Sequence, residues 1–254
     1  MIAAGRAARP GAWLPEIEPP TNEELERCPF CGGREDRTPP EVLRLGEGPW
    51  LVRVVPNLYP AFERQEVVVH TAEHVRTFAE LDDEHVEAVG AAWDSRAAEG
   101  KPYAFLNEGQ LAGASLPHSH SQLVWLGSPP AAVANEDQTQ VPNLLDRRDL
   151  LISERDGIVA VAHPAGTPYE ALIAARDGSE RTAAMLFAVR DLVRRLHGAE
   201  GRYPWNAWFH PGDHAHVHFV PRLTALASLE LGAGLYVNVV PPEDAAAKLR
   251  AVVV

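Results

Sequence analysis

Residues 107–122 of this 254-residue chain, NEGQLAGASLPHSHSQ, constrain its fold more than any other stretch. A loop of small residues leads directly into two histidines spaced one apart and then a glutamine. If the segment from His118 is extended, alternation puts His118, His120 and Gln122 on one face. Two imidazoles and an amide then converge where the Gly-Ala-Ser turn ends. Such a turn offers backbone N–H groups and the Ser115 hydroxyl to an anion, while an imidazole held by its neighbours can attack phosphorus directly. The stretch therefore predicts a strand that begins at a phosphate-handling site.

With 46% hydrophobic and 23% charged residues, the chain can bury a sizeable core as one large or two small domains. Its formal charge of −12 argues against a general nucleic-acid binder, which needs a basic face to displace counterions. A nucleotide or sugar phosphate needs only a local cationic pocket. No apolar run approaches the roughly 20 residues of a membrane span, and the first residues lack the apolar core of a signal peptide. No membrane partner and a cytoplasmic location are the expectations.

Residues 1–27, rich in Pro, Ala and Arg, read as an extended arm. WLVRVVPNLYPAF and QEVVVHTAEH read as two strands separated by a Pro-bounded connection. Residues 76–99 carry a helical pattern, with Thr77 and Glu80 placed as a capping box. YAFLN, the glycine loop and HSHSQLVWL follow. After a Pro/Ala/Asn-rich connection at 128–143 the order returns: GIVAVAHP and YEALIAA as strands, 180–197 as a helix, and NAWFHPGDHAHVHFVPRL as strand, turn and strand. Two halves, 28–130 and 131–254, each with a histidine-rich strand late in it, suggest duplication.

The two cysteines, Cys28 and Cys31, form CPFCGG, a knuckle that lets two thiolates bind one ion. Zinc then wants two more ligands, which in this chain must be histidines, and His74 and His118 stand near predicted strand ends. A redox CxxC or two buried thiols is the competing reading.

These residues carry a resemblance. RAARP, CPFCGG followed by TPPE, VVPNLYPAF, TAEH and NEGQLAGASLPHSHSQ occur in order in the first half, and PWNAWFH, HVHFVPRL and LELGAGLYVNVVPPEDAAAKLR in the second. The chain resembles the galactose-1-phosphate uridylyltransferase-type members of the histidine-triad superfamily, over roughly residues 5–252. The resemblance implies an α+β fold, a duplicated histidine-triad-like unit with antiparallel sheets and flanking helices. It also implies a structural zinc on Cys28, Cys31, His74 and His118, with His120 as nucleophile. In the implied exchange His120 takes the nucleotidyl group of a nucleotide sugar, sugar 1-phosphate leaves, and a second phosphate accepts the group. HSHSQ, where the transferases more often have HPHGQ, is closer to the nucleotide-sugar phosphorylase branch.

Gln122 and Ser115 can donate hydrogen bonds to non-bridging phosphate oxygens as charge develops. Asn57, Asn107 and Gly113 match family positions around the nucleotide and its phosphates. Arg6 and Arg9 match an arginine pair that the family's dimers present to the neighbouring subunit's substrate, which makes a homodimer the expectation; an ordinary solvated arm is the alternative. Glu230 and Tyr236 match the region contacting the sugar.

Alternation over 214–218 places three imidazoles on one strand face, with His210 across a Pro-Gly-Asp turn. Some family members hold a second metal with a glutamate and three histidines, which map to Glu136, His210, His216 and His218; a buried or substrate-facing histidine row is the alternative. His163 reads as structural, and His70, His85 and His197 as core or surface histidines. A hydrolase that resolves the same intermediate with water, and a zinc-held nucleotide-binding regulator, are the other function classes. Binding alone does not require a nucleophile such as His120.

Overall fold

The computed structural model describes residues 1–8, 13–164 and 166–254. The strands are β1 (Leu43–Leu45), β2 (Val52–Pro56), β3 (Gln65–Val69), β4 (Tyr103–Glu108), β5 (His120–Val124), β6 (Leu151–Arg155), β7 (Ile158–Ala162), β8 (Ala171–Ala175), β9 (Trp205–His210) and β10 (His216–Pro221). They form one antiparallel sheet in the order β1-β2-β3-β5-β4-β9-β10-β8-β7-β6. The first five strands and the last five have the same connectivity, arranged as mirror-ordered halves about the β4/β9 pair. Duplication thus gives one continuous sheet instead of separate ones. Each half would otherwise leave the edge of β4 or β9 unpaired, and the two edges satisfy each other through Asn107 opposite Asn206.

The helices are α1 (Asn22–Arg27), α2 (Asp83–Ala97), α3 (Ala131–Ala134), α4 (Val141–Leu145), α5 (Thr182–Ala199), α6 (Ser228–Ala233) and α7 (Pro242–Ala251). In α5, Met185, Leu186, Val189, Leu192, Val193 and Leu196 recur at helical spacing and are fully buried, so one stripe packs into the core. Helices α2 and α5 pack together closely at Gly90: a Cβ there would meet that of Ala183 at 2.8 Å. Helix α2 starts later than the Thr77/Glu80 pattern predicts. Thr77 caps a separate 3-10 turn, Phe78–Glu80, and the N-cap of α2 is Asp82, whose carboxylate accepts from the backbone N–H of His85.

Alternation and register divide the sheet into two faces. Ser121 in β5 lies opposite Leu106 in β4, and its hydroxyl accepts from Trp93 Nε1 of α2 at 2.9 Å, so this is the helix-covered face. His120, Gln122, Phe105, Asn107, Asn206, Trp208, His210, His216 and His218 fall on the other face. In the first half the Cys28 knuckle covers that face, packing Phe30 with Val55, Val67 and Val69. Both histidine-rich strands therefore present their imidazoles to one side of a single sheet.

Strands β1 and β6 and helices α1, α3, α4, α6 and α7 go beyond the sequence reading, with α1 lying in the stretch read as an extended arm. Of the two strands, the first spans three residues, and β6 ends in the exposed pair Glu154 and Arg155, so neither has a strong apolar period.

Candidate active site and metal centres

The serines of HSHSQ fix its histidines. Ser119 and Ser121 point to the helix side, where the buried His70 lies with Nδ1 2.9 Å from Ser119 Oγ and Nε2 2.9 Å from Ser121 Oγ. With both serine side chains held inward, the intervening His120 must face the other way. His70 is thus a core histidine, kept neutral by burial.

His120 opens β5 and is 8% exposed. Its Nδ1 lies 2.8 Å from the carbonyl oxygen of His118. A carbonyl only accepts, so Nδ1 carries the proton and Nε2 keeps the lone pair. Burial holds the imidazole below its ordinary range, which preserves the neutral, nucleophilic form. The ring meets Phe30 edge-on, centroids 5.5 Å apart. It opens into a cleft of about 380 Å³ lined also by Ser115, Gln122, Asn57, Val67 and Tyr59.

Gln122 is oriented by a chain of amides. The backbone N–H of Ala61 donates to Gln65 Oε1 at 2.8 Å, so the other end of the Gln65 amide is its NH2, which donates to Gln122 Oε1 at 2.6 Å. Tyr59 N–H fixes Asn57 in the same way, and Asn57 Nδ2 reaches the same oxygen at 3.5 Å. Gln122 is left with its NH2 free to donate to an anion. Gln65 was not legible as a site residue, although it opens a strand neighbouring β5.

On the adjoining side, Asn107 Oδ1 accepts from Asn206 Nδ2 at 2.8 Å, and the same nitrogen donates to the carbonyl of Ala112 at 2.7 Å. The loop turns on Gly109 and Gly113, with φ of 86° and 92°, conformations suited to glycine. Sequence reading placed Asn107 and Gly113 here and missed Asn206, 99 residues downstream.

Cys28, Cys31, His74 and His118 bring one donor atom each within 4.8 Å of one another. Cys28 Sγ is 3.4 Å from His118 Nδ1, and Cys31 Sγ is 3.3 Å from His74 Nδ1. The outer nitrogens are held as metal-binding imidazoles require: His118 Nε2 lies 2.9 Å from the Thr71 carbonyl, and His74 Nε2 is 2.8 Å from the Glu24 carboxylate. Burial pushes the Cys28 thiol up to about 11, a penalty that a bound cation would offset. The donor set fits a metal ion. His118 precedes β5 instead of belonging to it, and so turns toward the knuckle while His120 faces the cleft.

Glu136, His210, His216 and His218 form a second group of four donors. Glu136 Oε2 is 2.6 Å from His210 Nδ1, and Oε1 is 3.3 Å from Nε2 of both His216 and His218. His214 stays in the preceding turn and contributes its carbonyl, 2.8 Å from His216 Nδ1. His163, which has no constellation in the sequence, lies 3.6 Å through Nδ1 from Glu170 Oε1.

Arg6 is exposed and is absent from the cleft lining. Its segment is tied to the chain's own far end, with Met1 N bonded to the Tyr236 carbonyl at 2.9 Å. Arg9 lies outside the described residues. Tyr236 lines a separate pocket of about 260 Å³ with Glu170, Asn206 and Trp208, whereas the Glu230 carboxylate caps α6 by accepting from Ala227 N at 2.9 Å.

The family model described as galactose-1-phosphate uridyl transferase, N-terminal domain, matches residues 60–128. The ADP-glucose phosphorylase of Arabidopsis thaliana is 25% identical over 313 residues, covering 99% of this chain and 89% of that protein. The structure of an Arabidopsis thaliana ADP-glucose phosphorylase with bound ADP-glucose matches with a TM-score of 0.84 at 24% identity, covering 100% of this chain and 95% of the other. A GalT-like protein of the same plant gives a TM-score of 0.81 at 26% identity over 89% and 92% of the two chains. The chain is accordingly a relative of the galactose-1-phosphate uridyl transferase and ADP-glucose phosphorylase enzymes, the GalT-like nucleotidyltransferases and phosphorylases.

Proposed function

We propose that the protein transfers a nucleoside monophosphate from a nucleotide sugar to a phosphate acceptor through a nucleotidyl-His120 intermediate. The observation that carries this reading is the His120 Nδ1 bond to the His118 carbonyl, which leaves the Nε2 lone pair in a cleft that also holds Gln122 and Ser115. Nε2 attacks the α-phosphorus, a P–N bond forms, and the P–O bond to the departing sugar 1-phosphate breaks. The acceptor then attacks the same phosphorus and returns the electron pair to Nε2. The Gln122 NH2 and the Ser115 hydroxyl donate to the non-bridging oxygens, while Asn57, Asn107 and Gly113 hold the nucleotide and its phosphates.

In this reading the acceptor is a sugar 1-phosphate, as in a uridylyltransferase. A second reading, phosphorolysis of an adenine nucleotide sugar with inorganic phosphate as acceptor, is supported by the similarity to ADP-glucose phosphorylase. Cys28, Cys31, His74 and His118 would hold a zinc ion that fixes the knuckle, and Glu136, His210, His216 and His218 would hold a second ion. Arg6 and Arg9 would serve the substrate of a neighbouring copy in a homodimer, and Tyr236 and Glu230 would face the sugar.

Intact-protein mass spectrometry after incubation with UDP-glucose, UDP-galactose or ADP-glucose, under mildly alkaline conditions, tests the intermediate and the base together. The expected result is a nucleotidyl-sized mass increase that is absent from His120→Ala. Turnover retained in full by His120→Ala would overturn the mechanism. Adding galactose 1-phosphate or inorganic phosphate to the isolated adduct separates the two acceptor readings.

A further inference from the structure

The pocket of about 260 Å³ that holds Glu170, Asn206 and Trp208 shares no lining residue with the His120 cleft. Strands β9 and β10 floor it, and β10 stands three strands from β5, roughly 14 Å across the sheet. Its polar groups are held for something other than each other. Glu170 Oε2 accepts from the backbone N–H of Thr167 at 2.7 Å, a fold-back that needs glycine at 166, where a Cβ would collide with that oxygen. The next turn residue, Tyr169, sits at a φ of 61°, a costly conformation for a residue with a large side chain. Glu170 Oε1 makes no hydrogen bond among the described residues, since the nearest imidazole nitrogens, His163 Nδ1 and His218 Nδ1, lie 3.6 and 3.9 Å away.

Asn206 adds a second acceptor. The Ala112 carbonyl can only accept, so the end of the amide facing it is the NH2, and both hydrogens go to the glycine-loop side. Its Oδ1 is left without a partner among the described residues. Arg222 donates its backbone N–H to the Pro204 carbonyl, but its guanidinium has no ion pair or hydrogen bond among the described residues, in a chain where acidic residues outnumber Lys and Arg by 35 to 23. Arg222 and Glu170 thus line one pocket without pairing. Trp208 packs one face on His218, centroids 5.3 Å apart and 17° from parallel, and its remaining surface lines the pocket.

Two acceptors, an indole surface and an unpaired guanidinium match a ligand with hydroxyl donors on a ring and one anionic end. The volume suits a monosaccharide phosphate better than a whole nucleotide sugar. We propose that this pocket is a second ligand site, which takes a sugar phosphate with its hydroxyls on Glu170 Oε1 and Asn206 Oδ1, its ring on Trp208 and its phosphate on Arg222. The choice of sugar phosphates as the ligand class rests in part on the proposed transfer, which releases and consumes them. A ligand on Asn206 Oδ1 steadies the same amide that bonds Asn107 and Ala112, so occupancy is felt at the glycine loop.

Isothermal titration calorimetry of glucose 1-phosphate into the full-length protein, with no nucleotide present and hence no turnover, tests the site. Wild type should bind saturably, Arg222→Gln and Glu170→Gln should each weaken that binding about ten-fold or more, and it should persist in the cleft variant Gln122→Ala. Inorganic phosphate and glucose, titrated separately, tell the two ends apart: phosphate should respond to Arg222→Gln and glucose to Glu170→Gln. No saturable binding to wild type overturns the proposal. So does an affinity unchanged by both pocket variants, and loss in Gln122→Ala alone would put the ligand in the cleft instead. Melting curves report folding, and should Glu170→Gln fail to fold, unchanged affinity in Arg222→Gln overturns the proposal by itself. Absence of the nucleotidyl adduct on His120 would sink the transfer mechanism and leave this titration standing, so the two failures are distinguishable.

Discussion

Gln65 donates its side-chain amide to Gln122 Oε1 at 2.6 Å, and that bond decides which end of Gln122 is free to meet an anion. The direction comes from Ala61, whose backbone N–H can only donate. Replacing Gln65 by leucine removes the clamp without touching His120. Gln122 can then rotate and withdraw its NH2, so under the proposed mechanism kcat/KM should fall about ten-fold, or about 1.4 kcal/mol. The melting temperature should change little, because Gln65 is half-buried at a strand end. Steady-state kinetics beside a melting curve checks this, and full activity would show that Gln122 needs no such clamp.

Glu24 couples the N-terminal arm to the knuckle, since its carboxylate meets both His74 Nε2 and Arg76 Nε at 2.8 Å. Cys28→Ala should lower metal content and stability together, by about 10 °C in melting temperature for roughly 3 kcal/mol. Glu24→Ala keeps all four donors and should weaken metal binding about 10- to 100-fold, with a smaller thermal shift. Chelator competition followed by a melting scan distinguishes the two.

The local parts of this architecture were legible in the sequence, and the distant parts were not. HSHSQ announces a strand because its period is two, and CPFC announces a knuckle because both donors lie within four residues. Gln65, Asn206 and Glu24 join the site only through sheet register or the packing of the arm, which no short window contains. His163 illustrates the same limit: its neighbour Glu170 lies across the β7–β8 connection and His218 comes from another strand. His118 is a different case, because alternation alone keeps it beside His120. The bond from Ser119 N to the Val75 carbonyl, 2.7 Å long, holds the chain before β5 begins.

Glu108 gives a pH dependence of known sign. It is buried, its Oε2 accepts from the backbone N–H of Phe78 at 2.8 Å, and its Oε1 has no partner among the described residues. Burial outweighs the amide bond and pushes the carboxyl up to about 7 from an ordinary 4.5. Between those values the unfolded chain loses its proton first, so this group's contribution to stability falls as pH rises and is fully lost above about 7. Glu108→Gln keeps an acceptor for Phe78 and removes the titration. Urea midpoints compared from pH 4.5 to 8 should show the variant gaining on wild type as pH rises, by at most roughly 3 kcal/mol. A constant difference across that range would mean that Glu108 is ionised throughout.

Asn206 joins the two halves where the glycine loop leaves β4. One side-chain nitrogen supplies both hydrogens, to Asn107 Oδ1 across the β4/β9 seam and to the Ala112 carbonyl in the glycine loop. Asn206→Ala leaves two partly buried oxygens without their donor, a cost of about 2 kcal/mol. It also frees Asn107 and the turn leading to Gly113, so if the loop cradles the nucleotide's phosphates as proposed, KM for the nucleotide sugar should rise. Asn206→Asp preserves the shape but presents an acceptor to two acceptors, and should be worse than alanine on both counts. Thermal melting with KM measured for all three proteins checks the order. An aspartate variant equal to wild type would show that the seam bonds do not support the loop.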